Sequence, residues 1–122
     1  MNPTEVTVNI PVRDLAAATR WYERILDRSG PDLKPIEGVA EYDMGGWWLQ
    51  LGEGEDVGGP WVLRFAVADA HAERDRLVGL GVDVDPMVHV EGLVDYCEFS
   101  DPDGNRLSLY TELGGADGMP AG

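Results

Sequence analysis

The chain writes one order of elements twice, and that repeat limits what it can fold into more than any other feature. Over residues 6–26 an alternating apolar stretch, with Val6, Val8 and Ile10 on one face, runs through Pro11 and Val12 to Asp14, a residue placed to cap a helix. That helix carries Leu15, Ala18, Tyr22 and Ile25 on one stripe. After Pro60 the order returns: Trp61, Leu63, Phe65 and Val67 alternate with Val62, Arg64 and Ala66, and Asp69 opens a second, weakly amphipathic helix that Gly79 or Gly81 closes. Val12 recurs as Val67 and Asp14 as Asp69, each 55 residues on. Short strands follow each helix, predicted near 39–44 and 47–51 in the first half and near 82–85, 96–99 and 106–111 in the second. Gly45 and Gly46 join the first pair, and Asp101, Pro102, Asp103, Gly104 and Asn105 make a tight hairpin turn between the last two.

Strand, helix and strands, written twice, is an α+β pattern in which neither half is large enough to be stable alone, so the two sheets must pair. At 122 residues, 43% of them apolar, the chain has the size and core of one domain over 1–113, with modules near 5–52 and 60–113, a glycine-rich and acidic linker over 52–60, and a flexible tail over 114–122. No run of 18 apolar residues is present, and no basic region followed by an apolar stretch precedes Glu5, so a soluble, unexported protein is expected. Cys97 is the only cysteine, which excludes an intrachain disulfide, a thiolate zinc site and a CxxC redox motif, and makes the cytoplasm the expected compartment. The net charge of −14, from 23 acidic and 9 basic side chains, makes nucleic acid and anionic membrane poor partners; it serves either solubility or the steering of a cationic ligand.

The twin pattern, the Trp21-Tyr22 pair in the first helix and the run from Phe99 through the Asp101–Asn105 turn to Arg106 and Leu107 resemble the vicinal oxygen chelate superfamily of glyoxalases, bleomycin resistance proteins and extradiol dioxygenases. The resemblance spans roughly 5–113 and implies tandem βαβββ modules forming a curved mixed sheet with a concave cleft. It also implies four metal-ligand positions, two from each half and usually histidine or glutamate, which fall here on Thr7, Gln50, Val62 and Ser108. A transition metal wants imidazole, carboxylate or thiolate. Valine offers no donor and neutral hydroxyls are poor ones, so no metal and no other cofactor is expected. His71 and His89 lie off these positions, on the second helix and on a loop, and are expected to be solvated surface residues.

Period-two alternation assigns the neighbours of those four positions. Glu5, Thr7 and Asn9 share a face in the first strand, Trp48 and Gln50 in the strand over 47–51, Val62 and Arg64 after Pro60, Tyr96 and Glu98 in the next, and Arg106, Ser108 and Tyr110 in the last. The opposite face, Val6, Val8, Ile10, Leu63, Phe65, Leu107 and Leu109, should pack under the helices, and Trp47 should point away from Trp48. Cys97 reads as a buried strand residue. Aromatic surface with a few placed polar groups is the makeup of a ligand pocket and equally of a dimer interface. The resemblance to bleomycin resistance proteins implies a metal-free binder that sequesters an aromatic or cationic small molecule, with Thr7, Asn9, Trp48, Gln50, Val62, Arg64, Tyr96, Glu98, Ser108 and Tyr110 around it and no catalytic residue. The alternative is a glyoxalase-like lyase or isomerase, metal-dependent or using Glu98 or Glu5 as general base. A homodimer is expected.

Overall fold

Asp14 and Asp69 act as their positions predict. Each has extended backbone, and each side chain accepts from the backbone N–H three residues on, Ala17 at 3.1 Å and Ala72 at 3.0 Å, satisfying a donor the helix itself cannot. They open α1 (Leu15–Leu26) and α2 (Ala70–Gly79). In α1 the predicted stripe buries Ala18, Tyr22 and Ile25, and the helix ends on Asp27 in the left-handed region. In α2 only Ala70 and Leu77 are buried, and Gly81, at φ +89, turns the chain out of it.

The computed structural model describes residues 1–114, so all but the first residue of the tail predicted over 114–122 lies outside the described residues. Its strands are β1 (Thr7–Val12), β2 (Val39–Asp43), β3 (Trp48–Glu53), β4 (Val62–Ala66), β5 (Val88–Val90), β6 (Val94–Ser100) and β7 (Arg106–Glu112). Among the described residues they form two open mixed sheets, β1-β3-β2 and β4-β7-β6-β5. In each, the strand before the helix pairs parallel with the last strand of its half, β1 with β3 and β4 with β7, while the remaining pairs are antiparallel. The chain is α+β. By its contacts it divides into two compact units, residues 1–59 with 102–105, and residues 60–101 with the chain from 106 on.

In the first unit Ile10, Val12, Leu49 and Leu51 are fully buried with Ala40 and Tyr42, and they pack with the stripe of α1. The Tyr42 hydroxyl donates to Glu23 Oε2 at 2.7 Å, while Glu23 Oε1 accepts from the Gly30 N–H, so one carboxylate ties α1, the loop after it and β2 together. Burial and this carboxylate push the Tyr42 phenol well above its ordinary range. In the second unit Leu107, Leu109, Cys97 and Phe99 lie with Leu77 of α2. Cys97 is buried as expected, and loss of solvent raises its thiol pKa.

Three expectations need correction. Val6 is half exposed, because β1 begins one residue later and Val6 lies outside the covered stretch. Residues 82–85 are not a strand: Val84 makes one bridge to Phe99, Pro86 follows, and the Arg74 guanidinium takes the Val84 and Asp85 carbonyls at 2.9 Å each, so a side chain answers backbone groups that a ladder would otherwise use. The third strand of that half is β5 instead. Its counterpart in the first half is reduced to a single bridge, Leu33 to Glu41.

Asn105, within the first unit, is fully buried; its amide nitrogen donates to the Pro11 carbonyl at 2.9 Å and its oxygen accepts from the Gly58 N–H at 2.8 Å. Replacing it by alanine removes two part-buried hydrogen bonds, a loss of about 1–3 kcal/mol at about 0.5–1.5 kcal/mol net for each. Asn105→Ala should therefore lower the urea midpoint with little change in the slope.

Candidate functional site

The core side of each sheet settles which side chains are left on the other. In β3, Leu49 and Leu51 are fully buried and Trp48 and Gln50 only partly, so Trp48 stands on the open face with Gln50. Trp47 lies just before the strand and is half-buried. In β4, Leu63 and Phe65 are more covered than Val62, Arg64 and Ala66 but remain half-buried, as an edge strand allows.

Register then builds the open face of the first sheet in rows. Thr7, Trp48 and Asp43 stand in one row, and Asn9, Gln50 and Glu41 in the next. Gln50 Nε2 donates to Glu41 Oε2 at 2.7 Å, so the amide is held by a carboxylate from β2. Asn9 lies against Gly52: a Cβ there would meet Asn9 Oδ1 at 2.7 Å, so glycine leaves that amide its place. Asp43 accepts from the Gly45 N–H at 2.9 Å. Among the described residues no cationic side chain pairs with Glu41 or Asp43. These two carboxylates beside the indole were absent from the sequence-based set, since only the pairing of β2 with β3 places them there.

The open face of the second sheet is built differently. Its rows are Val62, Arg106 and Ser100; Arg64, Ser108 and Glu98; and Ala66, Tyr110, Tyr96 and Val88. Ser108 is fully buried, and Arg64 Nη1 donates to its hydroxyl at 3.2 Å. The same guanidinium lies 3.6 Å from Glu98 Oε2 and 5.9 Å from the centre of the Tyr96 ring. Arg106 donates to Glu98 Oε1 at 3.1 Å, Asp85 Oδ2 at 2.8 Å and Ser100 Oγ at 2.9 Å, and the hydrogen bonds to Asp85 and Glu98 raise its pKa further. Glu98 is thus gripped from two sides, and taking a proton from a substrate would require it to loosen both grips.

These donors do not fit a divalent ion. Of the four implied ligand positions, Val62 has no donor atom, Ser108 is sealed under a guanidinium, Gln50 is bonded to Glu41, and Thr7 is an exposed hydroxyl. A positive charge 3.2 Å from one ligand position opposes a second one. Glu5, the other general-base candidate, is exposed and precedes β1.

Both histidines are exposed, as expected, and both reach one carboxylate. His71 on α2 and His89, which lies on β5 rather than a loop, both meet Asp95 on β6. A recess of about 580 Å³ in the first unit, at the start of α1, is lined by Asp14, Leu15, Lys34, Ile36 and Glu53 among others and contains none of the predicted site residues. The N–H groups of Leu15 and Ala17 there are already taken by Glu53 and Asp14.

The model of the Glyoxalase/Bleomycin resistance protein/Dioxygenase superfamily matches residues 6–109. The chain belongs to this superfamily. Among curated proteins none is similar enough to match. Solved structures share the fold: TnmS3, an antibiotic binding protein from Streptomyces sp. CB03234, is 23% identical, with 92% of this chain and 98% of that one covered at a TM-score of 0.77. A glyoxalase/bleomycin resistance protein/dioxygenase from Nocardioides is 18% identical, with 100% and 91% covered at 0.79. The fosfomycin resistance protein FosX from Listeria monocytogenes, in a complex with Mn(II) and sulfate, is 18% identical, with 97% and 94% covered at 0.74.

The purified protein, after tag removal, should carry no stoichiometric divalent metal, and zinc, nickel, manganese or iron should not raise its melting temperature. Elemental analysis finding close to one ion per chain would contradict the donor chemistry described above.

Proposed function

We propose that this superfamily member is a metal-free binding protein that sequesters a small organic molecule with a flat aromatic or cationic group. The observation that carries the reading is the row of Trp48 and Asp43 beside that of Gln50 and Glu41: a half-buried indole and two carboxylates that register puts on the same side of the sheet, with no cationic side chain paired to them among the described residues. An indole face attracts a cation by roughly 0.5–2 kcal/mol, and the carboxylates add to that attraction. The fold is shared with an antibiotic-binding protein, TnmS3, which is compatible with sequestration. On the second sheet, taken by itself, Arg64, Tyr96, Glu98 and Tyr110 offer a charge-balanced aromatic surface suited to a neutral or polar molecule. The grip of two guanidiniums on Glu98 favours binding over general-base chemistry at that residue.

An acridinium dye and bleomycin are suitable probes, followed by quenching of tryptophan fluorescence and by calorimetry. Trp48→Ala should weaken binding at least about tenfold, equivalent to about 1.4 kcal/mol, and leave the fold intact. Glu41→Gln should weaken the cationic probes more than neutral analogues. Trp47→Ala should act on stability and not on affinity; the reverse pattern would exchange the two faces of β3.

The homodimer is part of the same proposal, because aromatic faces and exposed apolar residues such as Val62 and Val88 leave surface for a second copy to cover. Sedimentation at micromolar concentration and physiological salt, where screening over about 8 Å weakens the repulsion of two acidic chains, should show the dimer. Monomer alone would count against it.

A further inference from the structure

The second unit carries a cluster that the ligand faces do not use. Asp95 of β6 is nine-tenths buried, and its two oxygens are claimed by two histidines: Oδ1 by His89 Nδ1 at 2.5 Å and Oδ2 by His71 Nε2 at 3.0 Å. His89 has a second carboxylate on its other nitrogen, Glu91 Oε2 at 2.7 Å from Nε2. A neutral imidazole has one N–H and one lone pair. Between two carboxylates it must turn that lone pair toward an anion, whereas an imidazolium donates to both. The arrangement therefore fits the protonated ring and is unfavourable for the neutral one.

The cluster bears on the weakest element of its sheet. β5 has three residues, all exposed, and it is an edge strand paired with β6 alone. Val88 and Val90 leave 41% and 37% of their surface in water, so apolar burial gives this strand little hold. His89 supplies a hold across to β6, Glu91 carries it into the turn at 91–93, and His71 brings α2 to the same carboxylate. The neighbour of Asp95 on β7 is Thr111, which is uncharged, and the charges acting on Asp95 are those of His89 and His71.

We propose that His71, Asp95, His89 and Glu91 form a pH-operated clamp, which holds β5 and its turn against β6 while His89 is an imidazolium and lets them fray when His89 loses its proton. The electrostatics agree with the geometry. Hydrogen bonds first to Glu91 and then to Asp95 raise the His89 pKa above its ordinary 6.5. The contribution is complete below that ordinary value and is lost as pH rises through the raised one. Hydrogen bonds from His89 and then His71 lower the Asp95 pKa below 3.8, so the Asp95 contribution is present above that value and lost only as pH falls through the lowered one. The clamp is closed in mildly acidic solution and opens on the alkaline side. Val88 of β5 pairs with Tyr96, so opening alters one border of the second open face. That effect on binding rests on Tyr96 being a ligand contact, as proposed above; the clamp itself does not.

Amide hydrogen exchange on the full chain at about pH 5.5 and about pH 8.5, expressed as protection relative to the unfolded chain, tests the clamp. Protection of β5 and of residues 91–93 should fall at least about tenfold between the two conditions, while β1 and β3 change little. His89→Gln should remove the step. An equal step in His89→Gln, or no step in the parent, overturns the proposal. Glu91→Gln alters an exposed side chain, so the fold is not at risk. It should move the His89 titration, followed by NMR, down toward the ordinary value, and an unmoved titration also overturns the proposal. Neither readout contains a ligand, so a chain that binds no organic cation decides the matter equally well.

Discussion

Leu49 and Leu51 in β3, and Leu107 and Leu109 in β7, commit each sheet to one face. Each pair lies on the last strand of its half, which is also the strand that runs parallel to the one before the helix. A slip of one residue in either strand would bring Trp48 and Gln50, or Ser108 and Tyr110, into the core and push the leucines into water. Complete burial of a leucine is worth roughly 1.5–3 kcal/mol, so two per strand are enough to fix the register against a slip. The open-face residues of β3 and β7 hold their places because their strand neighbours are buried on the other side.

The same frame supports two different electrostatic surfaces. On the first sheet Glu41 and Asp43 have neutral partners, an amide and a backbone N–H, on the side of the sheet that carries Trp48. On the second, Arg64 and Arg106 enclose Glu98, with Asp85 as a further anion. These pairs are partly exposed, and pairs of that kind contribute at most about 1 kcal/mol each. Their consequence is orientation more than stability, since Arg64 is aligned at once by Ser108, Glu98 and the Tyr96 ring. A net charge of −14 is thus not spread evenly in effect: one face keeps unmatched anions and the other balances them.

What could be read from the sequence was what depends on residues close in the chain. The caps at Asp14 and Asp69, the stripe of α1 and the alternation that separates Trp48 from Leu49 are local, and the structure shows each of them. The misplaced strand at 82–85 failed because Arg74, on α2, satisfies its carbonyls, and alternation carries no trace of a side chain arriving from elsewhere. Asn105 read as a turn residue, yet its amide joins Pro11 and Gly58, far away in the chain. The two histidines read as surface residues and are exposed, but nothing in their spacing reveals the carboxylate they share. Glu41 was missed for a related reason: alternation within β2 is visible, but its pairing with Gln50 comes only with the register between strands.

Arg64 sets the electrostatics of the second open face. A metal at such a place would supply concentrated positive charge and draw carboxylates toward it. Here Ser108 offers a hydroxyl too weak to hold an ion, and Arg64, in register with it, extends a guanidinium over that hydroxyl and on to Glu98. Guanidinium charge is permanent and its donors lie in one plane, so it organises the carboxylate without requiring three strong ligands. It lacks an open coordination position and so cannot act as a Lewis acid, though its N–H groups can donate to an oxygen. An arginine at such a place orders the carboxylate of the face and supplies no Lewis acidity of its own.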